Sequence, residues 1–233
     1  MRKVIVLLIS LIPFTGNSQL SFNQLVHLKL GDNFAKSSEY LKQNLTGKFT
    51  LDEGDFFSAY KLNFEDIPID YYGKADCEFF YAKNQLLSVM IRFNMTDDSP
   101  EFSIEDKVIR LTTLFQTDLE KKYQLQRLKK FDLTPAKIKA ELPKRIKSVI
   151  EKNDDAIGVI AGNYRIFSPS NFGDSRVIAV QLSVGRSIWQ DNGKQETVEA
   201  KTSVDLWITN VKLWDTYLEV KNSFVRYKTV EKR

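Results

Sequence analysis

The chain has 233 residues, of which 42% are hydrophobic and 27% are charged, and its formal net charge is +4. A chain of this size buries enough surface to fold around a core without cross-links, and its single cysteine, Cys77, excludes an internal disulfide. One cysteine and one histidine cannot supply the three or four nitrogen and sulfur ligands of a usual zinc site, so we expect no metal and no other cofactor.

The first 18 residues have the three parts of a secretory signal peptide. Arg2 and Lys3 give a positive start, residues 4–12 are apolar, and small residues at Gly16 and Ser18 suit a signal peptidase. The alternative is a membrane anchor, but a helix that crosses the hydrocarbon needs ~20 apolar residues. We therefore expect cleavage after Ser18, export to a periplasm or the medium, and no transmembrane span in the mature chain.

The first half predicts a short helix, three strands and a long helix. Apolar residues recur at helical spacing over residues 33–45, and strand-like runs cover residues 56–64, 75–82 and 86–95. Cys77 lies in the second of these strands, where a small buried side chain is expected. The long amphipathic helix begins after Ser103, a capping residue, and its apolar stripe extends to Tyr123.

The second half predicts a helix and then three strands. Thr134 followed by Pro135 is a helix start, and Pro143 inside the same helix predicts a kink or a break. Strands follow at residues 157–167, 176–189 and 197–208, the last two joined through Asn192 and Gly193. Their strict alternation predicts an antiparallel sheet with one face buried and one in water. The apolar residues of 210–233 fit neither the helical nor the strand period.

These elements predict an α+β fold in which antiparallel sheet packs against two long amphipathic helices. We divide the chain into a signal peptide (residues 1–18), an N-terminal half (19–126) and a C-terminal half with its tail (127–233). The two halves share an α-β-β-β outline, and the second could be a diverged copy of the first. The alternative is that both halves form one continuous domain.

Few residues suit catalysis. His27 is the one histidine, it lies among apolar neighbours, and no Gly-x-Ser-x-Gly motif accompanies it. Three acidic clusters could serve a carboxylate-dependent hydrolase such as a glycosidase, although turns also favour Asp and no cluster matches a calcium loop. The clusters are Asp52, Glu53 and Asp55; Glu65, Asp66 and Asp70; and Asp97, Asp98 and Glu101.

Two features suit binding. The helix after Thr134 has a row of basic side chains on its predicted solvent-facing side, which could attract an acidic polymer, an envelope component or an acidic partner. This basic stripe consists of Lys137, Lys144, Arg145, Lys147 and Lys152. Trp189 and Trp207 fall on the otherwise polar face of the last hairpin, where adjacent indoles would form a stacking platform. The alternatives are a solvated helix face and tryptophans covered by another element.

Most aromatic residues occupy predicted core positions, so no nucleic-acid interface is expected, because such interfaces combine basic stripes with exposed aromatic side chains. The sequence thus favours an exported, non-enzymatic binding or accessory protein that acts on a cell-envelope component or a protein partner. The alternative is the secreted carboxylate hydrolase.

Overall fold

The computed structural model describes residues 21–45, 48–54, 59–96, 102–122, 126–127, 133–151, 158–167, 176–191, 194–210 and 212. The predicted signal peptide and nearly all of the tail lie outside these ranges. Among the helices inside them, none combines the length and the apolar character that a bilayer crossing requires.

The described chain contains four α-helices and eight strands. The helices are α1 (Phe22–Val26), α2 (Phe34–Asn44), α3 (Ile104–Thr117), which continues as a π-helical turn (Asp118–Lys122), and α4 (Pro135–Glu151). The strands are β1 (Phe49–Gly54), β2 (Ala59–Ile69), β3 (Gly73–Ala82), β4 (Gln85–Met95), β5 (Gln126–Arg127), β6 (Gly158–Phe167), β7 (Arg176–Asp191) and β8 (Lys194–Asn210).

All eight strands form one sheet in the order β1-β2-β3-β4-β8-β7-β6-β5, and every neighbouring pair is antiparallel. The predicted α+β fold with antiparallel sheet is confirmed. Strands of the first half lie together, strands of the second half lie together, and β4 meets β8 between them. The sheet is thus continuous across the predicted division at residues 126/127, while the relation between the halves stays a prediction.

Most helix starts follow from local hydrogen bonding. Asn33 and Ser103 accept the backbone N–H of Ala35 and Asp106 at their caps, as N-cap residues do. Helix α4 begins at Pro135 as predicted, and it continues through Pro143 without a break, so of the predicted kink or break only the kink stays a prediction. Pro143 is exposed, so water can bond the carbonyl group that its missing N–H leaves.

Three short elements were not predicted: α1, β1 and the two-residue β5. Helix α1 has only five residues, too few for a periodic pattern, and its start is a capping box between Ser21 and Gln24. Strand β1 runs from Phe49 through Asp52 and Glu53, whose charges indicated a turn. It pairs with β2 along six residues, because an edge strand tolerates charge on its exposed side.

The main core lies between the four helices and one face of the sheet. At its centre, Phe115 of α3 packs against Phe22, Tyr72 and Phe93 with ring centroids 5.7, 5.1 and 5.5 Å apart. These rings come from α1, the β2–β3 turn and β4. Cys77 is fully buried in the same core, as expected for a small hydrophobic side chain.

The opposite sheet face is buried at its centre, so the expectation of a wet face is wrong there. Asp205 is only 2% exposed, and its carboxylate accepts two hydrogen bonds from Arg92, at 3.0 and 3.2 Å. Burial lowers the pKa of Arg92, but the hydrogen bonds and charge of Asp205 outweigh it and raise that pKa overall. Ser88 and Thr209 also pair, at 2.6 Å. The polar residues that alternate along these strands are therefore hydrogen-bonded to each other inside the protein rather than to water.

Truncating Phe115 tests the position of the core. We expect Phe115→Ala to lower the free energy of unfolding by about 3 to 5 kcal/mol, because it leaves a cavity among three rings. Urea unfolding measures this change. Phe102→Ala removes an aromatic side chain that is 48% exposed and should change stability by less than about 0.5 kcal/mol. Equal effects of the two substitutions would contradict this description of the core.

Candidate functional site

An open cleft of about 700 Å³ lies between helix α3 and the ends of strands β3 and β4. Its apolar lining comes from Ala75 and Phe93 on the strands and from Leu111 and Leu114 on the helix. Polar side chains surround this lining: Asp66, Tyr71, Tyr72, Lys74, Asp76, Asn94, Thr96, Lys107 and Arg110. We call this feature the α3 cleft.

A bulge in β2 shapes one wall of the α3 cleft. The pairing of β2 with β3 shifts register just before Ile67, and Asp66 within the bulge has a positive φ of 56°. The carboxylate of Asp76 accepts two hydrogen bonds. The N–H of Asp66 donates to its Oδ1 at 3.1 Å, and Nδ2 of Asn94 donates to its Oδ2 at 2.8 Å. Asp76 therefore holds the bulge in place, and Asp adopts such a backbone more readily than most residues.

Two consecutive tyrosines tie the β2–β3 turn to the end of α3. The hydroxyl groups of Tyr71 and Tyr72 both donate to the carboxylate of Asp118, the first residue of the π-helical turn. Their rings stack with centroids 4.6 Å apart. Tyr72 is buried against Phe115, whereas Tyr71 is 55% exposed. The exposed ring is thus fixed at both its face and its hydroxyl group.

Both hydroxyl groups are poor bases and nucleophiles. Burial, reinforced by the hydrogen bond to Asp118, raises the pKa of Tyr72 far above its ordinary value. Burial and the same carboxylate also raise the pKa of Tyr71. At neutral pH the pair stays protonated, so its chemistry is hydrogen-bond donation rather than proton abstraction.

Three cations stand around the mouth of the α3 cleft. Lys74 and Arg110 are exposed, and Nζ of Lys107 donates to the carbonyl oxygen of Thr96 at 2.6 Å. Asp66 brings a carboxylate to the same rim. The cleft therefore combines an apolar lining, an aromatic ring, cationic donors and carboxylate acceptors, a mixture suited to a polar ligand with a negative charge.

The predicted basic stripe lies away from the α3 cleft. On α4, Lys144 and Lys147 are exposed and Lys137 and Arg145 are half-buried, while Lys152 lies outside the described residues. Lys147 pairs with Glu151 of the same helix, with Nζ and Oε1 3.7 Å apart. None of these residues lines the cleft, and their role in binding stays a prediction.

The strand register separates the backbone positions of the two predicted platform tryptophans. Trp207 on β8 lies opposite Ala179, whereas Trp189 on β7 lies opposite Thr197, ten residues earlier on β8. At about 3.4 Å per residue this separates the two backbone positions by roughly 34 Å. Trp207 is half-buried, and its ring stacks on Phe80 with centroids 6.4 Å apart. The side chain of Trp189 lies outside the described residues, and a role of the two tryptophans in binding stays a prediction.

Three residues of the first two acidic clusters have structural partners. Asp52 pairs with Lys61 at 3.1 Å, and Glu65 pairs with Lys48 at 3.5 Å. Asp70 accepts the N–H of Phe22 at 2.7 Å. The third cluster lies outside the described residues. Within the described part of the chain, no three His, Cys, Asp or Glu side chains group closely enough to hold a metal ion.

His27 has a local structural role. It is the C-cap residue of α1, and its Nδ1 lies 2.8 Å from the carbonyl oxygen of Asn23. Sequence reasoning did not single out the tyrosines and cations of the α3 cleft. The run Tyr71-Tyr72-Gly73-Lys74 was a usable signal, since two large aromatics in a turn need a partner to cover them.

Comparison with known proteins finds no relative, since no family model, no curated protein and no solved structure matches the chain. The function is therefore inferred from the geometry.

The tyrosine pair makes stability depend on alkaline pH. Tyrosine in an unfolded chain titrates near pH 10, and the pKa of Tyr72 is higher in the folded chain. Its contribution is complete below pH ~10 and is lost as the pH rises above that value. In Tyr72→Phe, the free energy of unfolding should therefore fall less steeply above pH ~10 than in the unmodified chain. Urea unfolding at several alkaline pH values measures the slope, and an unchanged slope would contradict this assignment.

The α4 stripe has a separate test. We expect the combined substitutions Lys137→Gln, Lys144→Gln and Lys147→Gln to abolish retention on immobilised polyaspartate at low salt, because exposed charges attract at a distance. The thermal midpoint should stay nearly unchanged. A matched control carries Lys29→Gln, Lys36→Gln and Lys42→Gln, which remove the same charge elsewhere. Retention of the α4 variant would remove the stripe as a binding surface.

Proposed function

We propose that the chain is an exported, non-enzymatic binding protein whose ligand is an acidic saccharide of the cell envelope, bound in the α3 cleft. The observation that carries this proposal is the meeting of a fixed, exposed tyrosine ring with cations and carboxylates around one apolar-lined cleft. Each group matches one part of such a ligand.

The cations match the acid group. Lys74 and Arg110 are exposed at the mouth of the cleft, and hydrogen bonds from charged donors to a carboxylate are stronger than those between neutral groups. Lys107, already bound to the carbonyl oxygen of Thr96, adds a third positive charge beside them. Exposed side chains of this kind can turn toward a ligand with little rearrangement of the fold.

The tyrosine ring matches the sugar ring. One face of Tyr71 lies on Tyr72, and its hydroxyl group is bound by Asp118. The residue is still 55% exposed, so the apolar C–H face of a pyranose can cover it and remove apolar surface from water. Because the ring is already fixed, binding costs little side-chain entropy.

The remaining polar groups match sugar hydroxyls. The Asp66 carboxylate can accept O–H donors, and the side chain of Asn94 offers both a donor and an acceptor. The same carboxylates support binding rather than hydrolysis. Asp76 is occupied by the backbone of Asp66 and by Asn94, whereas a glycosidase needs one carboxyl group to protonate the leaving oxygen and a second to activate water or attack.

Export is part of the proposal and rests on residues 1–18. The described fold begins at Ser21, the N-cap of α1, so cleavage after Ser18 would leave every described element in place. Sequencing the N-terminus of protein recovered from its host tests this step, and an intact Met1 would contradict it.

Ligand binding is tested with trigalacturonic acid as the acidic probe and maltotriose as the neutral one. Lys74→Gln with Arg110→Gln should weaken binding of trigalacturonic acid at least about tenfold, a loss of about 1.4 kcal/mol. Lys137→Gln with Lys144→Gln removes the same charge from α4 and should leave the affinity unchanged. Isothermal titration calorimetry measures each affinity. Equal binding of both probes, or equal loss in both variants, would contradict an acidic ligand in the α3 cleft.

The ring contact has its own matched pair of variants. Tyr71→Phe keeps the ring and should keep the affinity for trigalacturonic acid within about threefold, whereas Tyr71→Ala should weaken it about tenfold. Both variants lose the hydroxyl bond to Asp118, so the difference between them reports the ring alone. Equal affinities would show that the ring does not contact the ligand.

A further inference from the structure

Strand β1 forms one edge of the sheet. It pairs with β2 on one side, and within the described residues no strand lies on its other side. An edge strand presents unpaired N–H and C=O groups that can bind another strand.

The pairing with β2 determines which backbone groups are available. The N–H of Glu65 donates to the carbonyl oxygen of Lys48 at 3.0 Å. Hydrogen-bonded and non-bonded pairs alternate along an antiparallel ladder, so Lys48 and every second residue after it direct their backbone groups toward β2. The N–H and C=O groups of Phe49, Leu51 and Glu53 therefore point to the open side.

The same edge exposes apolar side chains. Phe49 is 47% exposed and Leu51 is 39% exposed, and they lie opposite Phe64 and Leu62, which are core residues. Nζ of Lys42 lies 5.0 Å from the centroid of the Phe49 ring and leaves nearly half of the residue open. Most edge strands are protected by charge or proline, and these two positions are not.

We propose that this edge pairs with the β1 edge of a second copy of the chain, antiparallel about a two-fold axis at Thr50. In this register each Phe49 lies opposite the partner's Leu51, and their outward backbone groups bond each other. Each Lys48 lies opposite the partner's Asp52, so apolar side chains meet on one face and opposite charges on the other. A two-fold axis at Leu51 would instead set Phe49 against the partner's Glu53 and Lys48 against its Gly54, so the opposite charges would no longer meet.

Present ion pairs do not prevent this contact. The pair between Lys48 and Glu65 is exposed, with side chains 75% and 52% accessible, and such pairs contribute little to stability. The side chain of Asp52 is 44% accessible beside Lys61, so it can accept a second cation. A two-fold axis perpendicular to the sheet leaves both helical layers, and hence both α3 clefts, on the same side of the assembly.

Charge reversal at the two ends of this contact tests the register. Lys48→Glu places two acidic groups opposite each other in each pair, and Asp52→Lys places two cations there, so each variant alone should be a monomer in analytical ultracentrifugation. An equimolar mixture restores opposite charges at both ends, and it should sediment as a dimer like the unmodified chain. Circular dichroism of each variant checks that the strands still form.

Restoration in the mixture requires this pairing, because neither an unfolded variant nor an unrelated interface would produce it.

Leu51→Thr provides a second test: it keeps a strand-forming residue but removes the apolar contact, and it should weaken the dimer at least about tenfold. The proposal is overturned if the unmodified chain is monomeric at about 100 µM, if either charge variant remains a dimer, or if the mixture stays monomeric. A monomer that binds an extended peptide at this edge would assign the edge to a different partner.

Discussion

The pairing of β4 with β8 holds the rest of the structure together. These strands come from opposite halves of the sequence, and they match eight residue pairs, from Ser88 with Thr209 to Met95 with Thr202. Apolar pairs such as Ile91 with Leu206 lie on the helical side, and the ion pair of Arg92 with Asp205 lies on the other. Closing a loop of more than a hundred residues costs entropy, and the contacts on both faces of this strand pair help to offset that cost.

The helical layer depends on this joint and on a few long-range bonds. Arg176 on β7 is 2% exposed, and its guanidinium donates to the carbonyl oxygens of Val26 and Leu28 at the end of α1. Asp70 accepts the first N–H group of the same helix. Helix α1 is too short to be stable alone, so these contacts place it, and it in turn supports Phe115 of α3 and one wall of the α3 cleft.

The candidate site combines a restrained centre with an exposed rim. Tyr71, Tyr72 and Asp118 restrain one another, whereas Lys74 and Arg110 extend into solvent. A fixed ring gives a ligand a defined position, and exposed cations add attraction that salt weakens. The β1 edge lies at one side of the sheet, so a dimer would carry two such sites facing the same way, and two sites on one polymeric ligand would raise its apparent affinity.

The sequence by itself determined the local elements. Apolar periodicity located α3, α4 and the long hairpin of β7 and β8, and capping residues such as Ser103 located helix starts, because these signals depend on neighbours a few residues away. Only the tertiary structure decided that β4 joins β8, that the polar face around Asp205 is buried, and that Trp189 and Trp207 lie far apart. Only it brought Tyr71 to Asp118 and both to α3. These features depend on strand register and on contacts between residues distant in sequence, and no local pattern encodes which distant residue will satisfy a given group.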